Sequence, residues 1–525
     1  MSVPQAESPF LEHLLAALQN HQIDSSTITP LLRERFHALC NGSPRLTAIC
    51  THRPEILIPL LHESIFDRAV PKQELRSQLH ESMHSSENPE WALRRFHRTQ
   101  IIRIAIRDLC NLADIQIITE ELSDLADVIM EGVLDLAWKR LASLYGIPRA
   151  EDPSNPSRMA VISLGKHGGR ELNFSSDIDL LFVYNHKGNT DGSGEKVISN
   201  ESFFTQLAQE ICDMLGKSTG EGFLYRIDNR LRPEGDQGAL AVSLMTIEMY
   251  YHTYGQNWER QALLKARPIA GDLDVGKQFQ RLVSPFTYRK YVDEVEIAEV
   301  LRGIDAMREK SLSALGSLDN RIQDFKNGLG GIRDIEFFVQ AVQMLYGGQY
   351  PEIKLAGTLL SLQRMHESHL LHSNDYTTLS HAYRFLRRIE HRLQMVEDQQ
   401  VYELPKNHED RLRLATSLGF PSWSAFFEQY DNITKDVRYI YNGVFHRTEW
   451  QDNLDFLIEE DTFSDEIGDL LTFYEFEDPK RAFSFLKELN NSPDLHLQPK
   501  TSRLFKAILP RLLLCLKNCP DADLA

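Results

Sequence analysis

Along most of the chain, apolar residues recur every three or four positions. Between Trp91 and Leu144 the spacing of Ile101, Ile104, Ala105 and Leu109 predicts amphipathic helix. Leu379, Ala382, Leu386, Ile389, Leu393 and Val396 are separated by 3, 4, 3, 4 and 3 residues, which predicts a helix seam inside a bundle. Between these regions the pattern changes. Glu151 to Ser157 carries two prolines among polar residues and reads as a linker. Met159 to Leu164 is a short apolar run that stops at a glycine, and Ile178 to Tyr184 is rich in β-formers. A Gly-, Asn-, Asp- and Ser-containing loop spans 186–200. Phe203, Leu207, Ile211 and Leu215 then mark a helix capped by Asn200. After a turn at Gly220 to Gly222, Phe223 to Arg232 alternates like a strand. The expected organisation is a helical region (1–155), an α+β unit (156–285), a helical bundle (286–450) and the start of a further helical stretch (451–525). In that last stretch Lys500 to Leu516 is apolar along one face.

Composition narrows the classes. Lys plus Arg number 57 and Asp plus Glu 75, a net charge of −18 over 525 residues. Such an acidic chain is a poor candidate for wrapping nucleic acid or lying on an anionic membrane. No apolar run approaches the ~20 residues of a membrane helix, and the amino terminus lacks the pattern of a secretory signal. Six scattered cysteines, with no C-x-x-C pair, read as buried thiols in a reducing, cytoplasmic setting.

The candidate chemistry lies in Gly165-Lys-His-Gly-Gly-Arg-Glu-Leu-Asn-Phe-Ser-Ser-Asp177-Ile-Asp179. On a strand Asp177 and Asp179 share one face, while Ile178, Leu180 and Phe182 face the core. Two carboxylates about 7 Å apart raise each other's pKa, and a bound Mg²⁺ removes that conflict. The preceding glycine turn, with Gly165, Lys166 and then Ser176, is suited to close approach by a phosphate. On the second strand Asp228 shares a face with Arg226 and Arg230. That pattern fits either a third metal ligand with two phosphate-binding cations or an Arg-Asp-Arg ladder. No P-loop, zinc-helix or nucleophile-elbow motif occurs.

These residues resemble the polymerase-β-type nucleotidyltransferases, whose pattern is G-[GS], a spacer, D-h-[DE] and a third acid on a later strand. Lys166 departs from that pattern, standing where Ser or Gly is usual. The resemblance is closer to the bifunctional glutamine synthetase adenylyltransferase/adenylyl-removing family. It is carried by Gly165–Leu180, Tyr225-Arg-Ile-Asp-Asn-Arg-Leu-Arg-Pro233, Asn257-Trp-Glu-Arg-Gln-Ala-Leu-Leu-Lys-Ala-Arg267 and Gly330-Gly-Ile-Arg-Asp-Ile-Glu-Phe337. It runs from about 85 to 450, and the Glu171–Ser176, Trp258–Arg260 and Ile332–Glu336 segments look like the removing half.

The resemblance implies a mainly α protein with an α+β nucleotidyltransferase core. It implies Mg²⁺-dependent phosphorolysis of AMP from adenylyl-tyrosine of glutamine synthetase, releasing ADP. Asp177, Asp179 and Asp228 would be the catalytic and metal ligands. Gly165, Lys166, Ser176, Arg226, Arg230, Lys265, Arg267 and Arg333 would border phosphate or nucleotide. Lys265 and Arg267 also read as a solvated helix face, and Trp258 as packing between domains rather than an adenine platform. Gly330 to Asp334 reads equally as an anion-binding helix start carrying Arg333 or as a capping and packing motif. Arg384, Arg387, Arg388 and Arg392 read as a solvated face, with a docking surface as the alternative. Implied partners are glutamine synthetase, phosphate, ADP or ATP, and a PII-type signal protein. Alternatives are ATP-dependent adenylylation by the same fold, or a non-catalytic module binding glutamine synthetase or PII. Against the family's two-domain pattern, the chain reads as a fragment lacking the adenylylating domain.

Overall fold

The computed structural model describes residues 9–21, 27–220, 222–397 and 400–445, with short stretches between 462 and 490. The chain forms two compact units, Met1–Arg438 and Tyr439–Ala525. In the second, a helix spans Pro479–Asn490. The apolar face at 500–516, Cys515 and Cys519 lie outside the described residues.

Among the described residues the first unit begins with six α-helices: α1 (Pro9–Asn20), α2 (Pro30–Gly42), α3 (Pro44–His52), α4 (Lys72–His84), α5 (Pro89–Leu109) and α6 (Ile115–Tyr145). The last two realise the long periodic run, and each starts where a cap allows. Asn88 accepts from Trp91 N at 3.0 Å, and Asp114 from Gln116 N at 2.9 Å.

The sheet follows. Strand β1 (Met159–Ser163) leads through a single helical turn, α7 (Gly165–Gly168), to β2 (Asp177–Tyr184). After α8 (Asn200–Gly216) come β3 (Arg226–Asp228) and β4 (Ala241–Ser243), then α9 (Leu244–Thr253), α10 (Asn257–Leu263), β5 (Arg267–Gly271) and α11 (Leu273–Thr287). The strand order is β3-β2-β1-β5, with β4 also pairing with β2. Strand β1 runs antiparallel to β2 and β5, whereas β3 and β4 run parallel to β2.

Both sheet faces are covered. Val161, Ile178, Leu180 and Phe182 join the large core made with the amino-terminal helices and α8. Ala160, Ile162, Leu181 and Val183 join a second core with Ile247, Phe279 and Val283. Period-2 alternation therefore puts Asp177 and Asp179 on the second face, at its partly open end.

Further helices follow: α12 (Glu294–Ala314), α13 (Leu318–Gln323), α14 (Ile332–Tyr346), α15 (Thr358–Glu367), α16 (Ser373–Glu397), α17 (His408–Ser417) and α18 (Trp423–Phe445). Leu379, Ala382, Leu386 and Ile389 of α16 are buried, as their spacing requires. The architecture is mainly α around an α+β core, as the sequence pattern implies.

Several local expectations are corrected. The cap of α8 is Ser199, whose hydroxyl accepts from Ser202 N at 3.2 Å. Asn200 instead spends its amide on the carbonyls of Arg149 and His186. The strand expected over 223–232 is only three residues long, because Arg230 folds back onto Asp228. Cys40 and Cys50 are buried, but Cys110 and Cys212 are only half-buried, and all four are free thiols. Among the described residues no helix is long and apolar enough to cross a membrane.

Candidate active site

Parallel pairing of β2 with β3 sets Asp177 opposite Arg226 and Asp179 opposite Asp228. The three acids are thus brought together by register. Arg226 Nε donates to Asp177 Oδ1 at 2.8 Å, and its other nitrogen reaches Ser175 O at 2.9 Å and Ser175 Oγ at 3.1 Å. Arg230 grips Asp228 through its side chain at 2.5 Å and its backbone N–H at 2.9 Å. These bonds hold the Asp228 carboxyl below its usual range. Among the described residues no cation is bonded to Asp179 in this way. Burial, then the charges of Asp228 and Asp177, push its pKa up to about 7. Among the described residues no group of three or more His, Cys, Asp or Glu side chains is already placed to hold a metal ion.

The glycine turn packs directly on this group. Gly165 has φ +55°, and a β-carbon there would collide with Asp179 Oδ2. The Leu164 N–H also donates to Asp179 O at 3.0 Å. Ser176 does not open toward the acids: its hydroxyl accepts from Asn173 N at 3.1 Å.

The remaining basic candidates are engaged elsewhere. Lys166 Nζ lies 2.6 Å from Glu390 Oε1 on α16, a carboxylate with no solvent exposure. Burial would raise the Glu390 pKa, but Lys166 and Arg387 more than offset it, so Glu390 is ionised. Lys265 and Arg267 are not on a helix face. Lys265 follows α10 and is buried, 2.7 Å from Glu171 Oε2. Arg267 opens β5 and makes a two-pronged pair with buried Asp127 at 2.6 and 3.0 Å. Asp127 also binds His167 at 2.7 Å and Lys72 at 2.9 Å. Arg333 reaches Ser311 Oγ at 2.7 Å on α12. At the start of α14, Asp334 accepts from Gly330 N at 2.9 Å and pairs with Arg308 at 2.8 Å. That arrangement is capping and packing, since the helix start already holds its own carboxylate.

The arginine face of α16 is also corrected. Arg387 is buried against Asn173 and the Glu171 carbonyl, and Arg392 against Asp108 at 2.6 Å. Only Arg384 and Arg388 lie outward, near Asp114 and Asn111. Trp258 is 42 % exposed on α10 and is not a packing aromatic.

Two residues near the acids escaped the sequence reading. Lys326, in the loop before α14, contributes positive charge at Asp179, and its ammonium sits 3.9 Å from the Tyr402 ring centre. Glu390 holds the glycine turn from 224 residues away. No local pattern signals either of them. Only the Gly330–Phe337 motif next to Lys326 hinted at this loop.

Residues 33–282 match the model of the glutamate-ammonia ligase adenylyltransferase family. Residues 303–445 match the GlnD PII-uridylyltransferase model. The bifunctional glutamine synthetase adenylyltransferase/adenylyl-removing enzyme of Thioalkalivibrio sulfidiphilus is 37% identical over 447 residues, 84% of this chain and 45% of the relative. The same-named protein of Pseudomonas putida is 32% identical over 505 residues, 94% of this chain and 51% of the relative. That of Hahella chejuensis is 37% identical over 381 residues, 72% of this chain and 39% of the relative. The chain spans about half the length of these curated relatives. By its matching model, by identity over most of its length and by the strand register of its three acids, the chain belongs to the glutamine synthetase adenylyltransferase/adenylyl-removing family.

Proposed function

We propose that this chain is a nucleotidyltransferase that removes AMP from adenylyl-tyrosine of glutamine synthetase by phosphorolysis. The observation that carries this is the register of Asp179 beside Asp228, with Gly165 packed against Asp179. The direction rests on the Glu171–Ser176, Trp258–Arg260 and Ile332–Glu336 segments, which resemble the removing half.

The donor set suits Mg²⁺: three carboxylates provide hard oxygens, and burial together with the charges of Asp228 and Asp177 raises the Asp179 pKa. Asp177, Asp179 and Asp228 would hold the ion, which would supply charge neutralisation at the α-phosphate and the leaving phenolate. In the reaction a phosphate oxygen bonds to the α-phosphorus as the bond to the tyrosine oxygen breaks. ADP and a phenolate result, and the phenolate takes a proton from solvent. Phosphate is anionic at neutral pH, so no strong base is required. The chain's task is to gather negative oxygens and hold them in line. Arg230, whose side chain is 72% exposed, is placed to exchange Asp228 for a phosphate oxygen, and Lys326 adds a cation from the helical region. Lys265, Arg267 and Arg333 act through the scaffold that holds the turn and the helices. The division into regions 1–155, 156–285 and 286–450 belongs to this reading, as do a cytoplasmic setting and a PII-type protein docking on 303–445.

Incubation with adenylylated glutamine synthetase, Mg²⁺ and phosphate is expected to yield ADP. Labelling of unmodified glutamine synthetase from ATP would instead assign the reverse direction. Gly165→Ala is expected to cost about 1–2 kcal/mol, since alanine must adopt a left-handed backbone. By displacing Asp179 it should lower the ADP rate about 10²-fold. Chemical unfolding and the same assay check both, and a fully active variant would contradict the role given to the turn.

A further inference from the structure

On the sheet face opposite the three acids, behind β3, lies a small cavity whose walls carry unspent hydrogen-bonding groups. It is enclosed by α5, the 172–176 loop, β3 with the residues before it, and α16. The space open to water centres is about 40 Å³, room for about three waters. That is too little for a nucleobase. A tetrahedral oxyanion, whose four oxygens sit closer together than separate waters, fits it.

Four of its lining residues are more than nine-tenths buried and hold polar atoms without a partner. They are both ring nitrogens of His97, Asn173 Nδ2, Tyr225 Oη and Gln394 Oε1. The His97 and Tyr225 rings meet edge to face with centroids 4.9 Å apart. Buried polar groups left this way cost free energy, and a native fold keeps them where water or a ligand completes them. The charged residues of its lining are arginines, while the Asp127 carboxylate acts on Tyr225 from outside it. Arg98 and Arg226 line the cavity, and Arg94 stands one helical turn from Arg98. Burial, with Arg98 and Arg94 nearby, keeps the His97 imidazole neutral, so it adds a donor without competing charge. Arg226 joins the cavity to the acids, since the same guanidinium binds Asp177 and Ser175.

We infer that this cavity is a subsite for a free tetrahedral oxyanion of the size and charge of inorganic phosphate.

The test is calorimetric titration of the full chain with inorganic phosphate, without Mg²⁺ or nucleotide, and with AMP in a parallel arm. Saturable phosphate binding is expected. Asn173→Asp places a carboxylate oxygen where Nδ2 now lines the cavity and keeps the acceptor used by Arg387. It should weaken phosphate binding at least 30-fold, and Tyr225→Phe should weaken it about three- to tenfold. Circular dichroism confirms that both variants fold; should Asn173→Asp not fold, Tyr225→Phe alone decides. No phosphate binding, binding unchanged in the variants, or AMP binding with the same residue dependence overturns the subsite. Loss of phosphate binding in Asn173→Asp, with no ADP formed from adenylylated glutamine synthetase by the native chain, keeps the subsite and removes the phosphorolysis reading.

Discussion

Replacing Asp179 with asparagine is expected to lower the phosphorolysis rate by at least about 10²–10³-fold while leaving the fold intact or firmer. The two effects have one origin. Asp179 sits between Asp177 and Asp228, and burial with their charges raises its pKa from 3.8 to about 7. Between those values the folded chain binds more protons at this site than the unfolded chain. Stability therefore falls as pH rises from about 4 to about 7, and the penalty is fully present above the folded value. Asparagine carries no charge and escapes it. The melting temperature of Asp179→Asn should accordingly rise relative to the native chain between pH 4 and pH 8, without added divalent cation. A gap that does not change with pH would remove Asp179 as the strained member of the group.

The second large effect is on stability. Glu390 is fully buried and paired at 2.6 Å with Lys166 and at 3.1 Å with Arg387. Glu390→Ala leaves buried Arg387 and the half-buried Lys166, whose pKa burial lowers to about 7, short of a partner, and urea unfolding should show a loss of about 3 kcal/mol. Glu390→Gln keeps the volume and one acceptor, so it should lose less. A loss under about 1 kcal/mol for the alanine variant, the range of an exposed pair, would mean that α16 does not hold the glycine turn.

These contrasts also show what was legible in the sequence. Asp177 and Asp179 could be placed on one strand face, because a period of two with apolar Ile178, Leu180 and Phe182 leaves little choice. The seam of α16 was legible for the same kind of reason. Strands β4 and β5 were not: Ala241–Ser243 and Arg267–Gly271 are too short to show a period, and pairing with β2 and β1 creates them. Partners distant in sequence were hidden as well. Arg267 resembled a free cation because nothing local announces Asp127, 140 residues earlier. Arg387 and Arg392 resembled a solvated face because arginine usually is one. Here Glu171, Asn173 and Asp108 give them partners inside the protein. Two of the four resemblance motifs, at 165–180 and 225–233, are the segments that strand register joins.

The most direct measurement is ADP release from adenylylated glutamine synthetase with Mg²⁺ and phosphate, run side by side for the native chain and Asp177→Asn. The account expects ADP from the native chain, in step with the loss of AMP from tyrosine, and little from the variant. No ADP from the native chain, or an equal rate from Asp177→Asn, would contradict it.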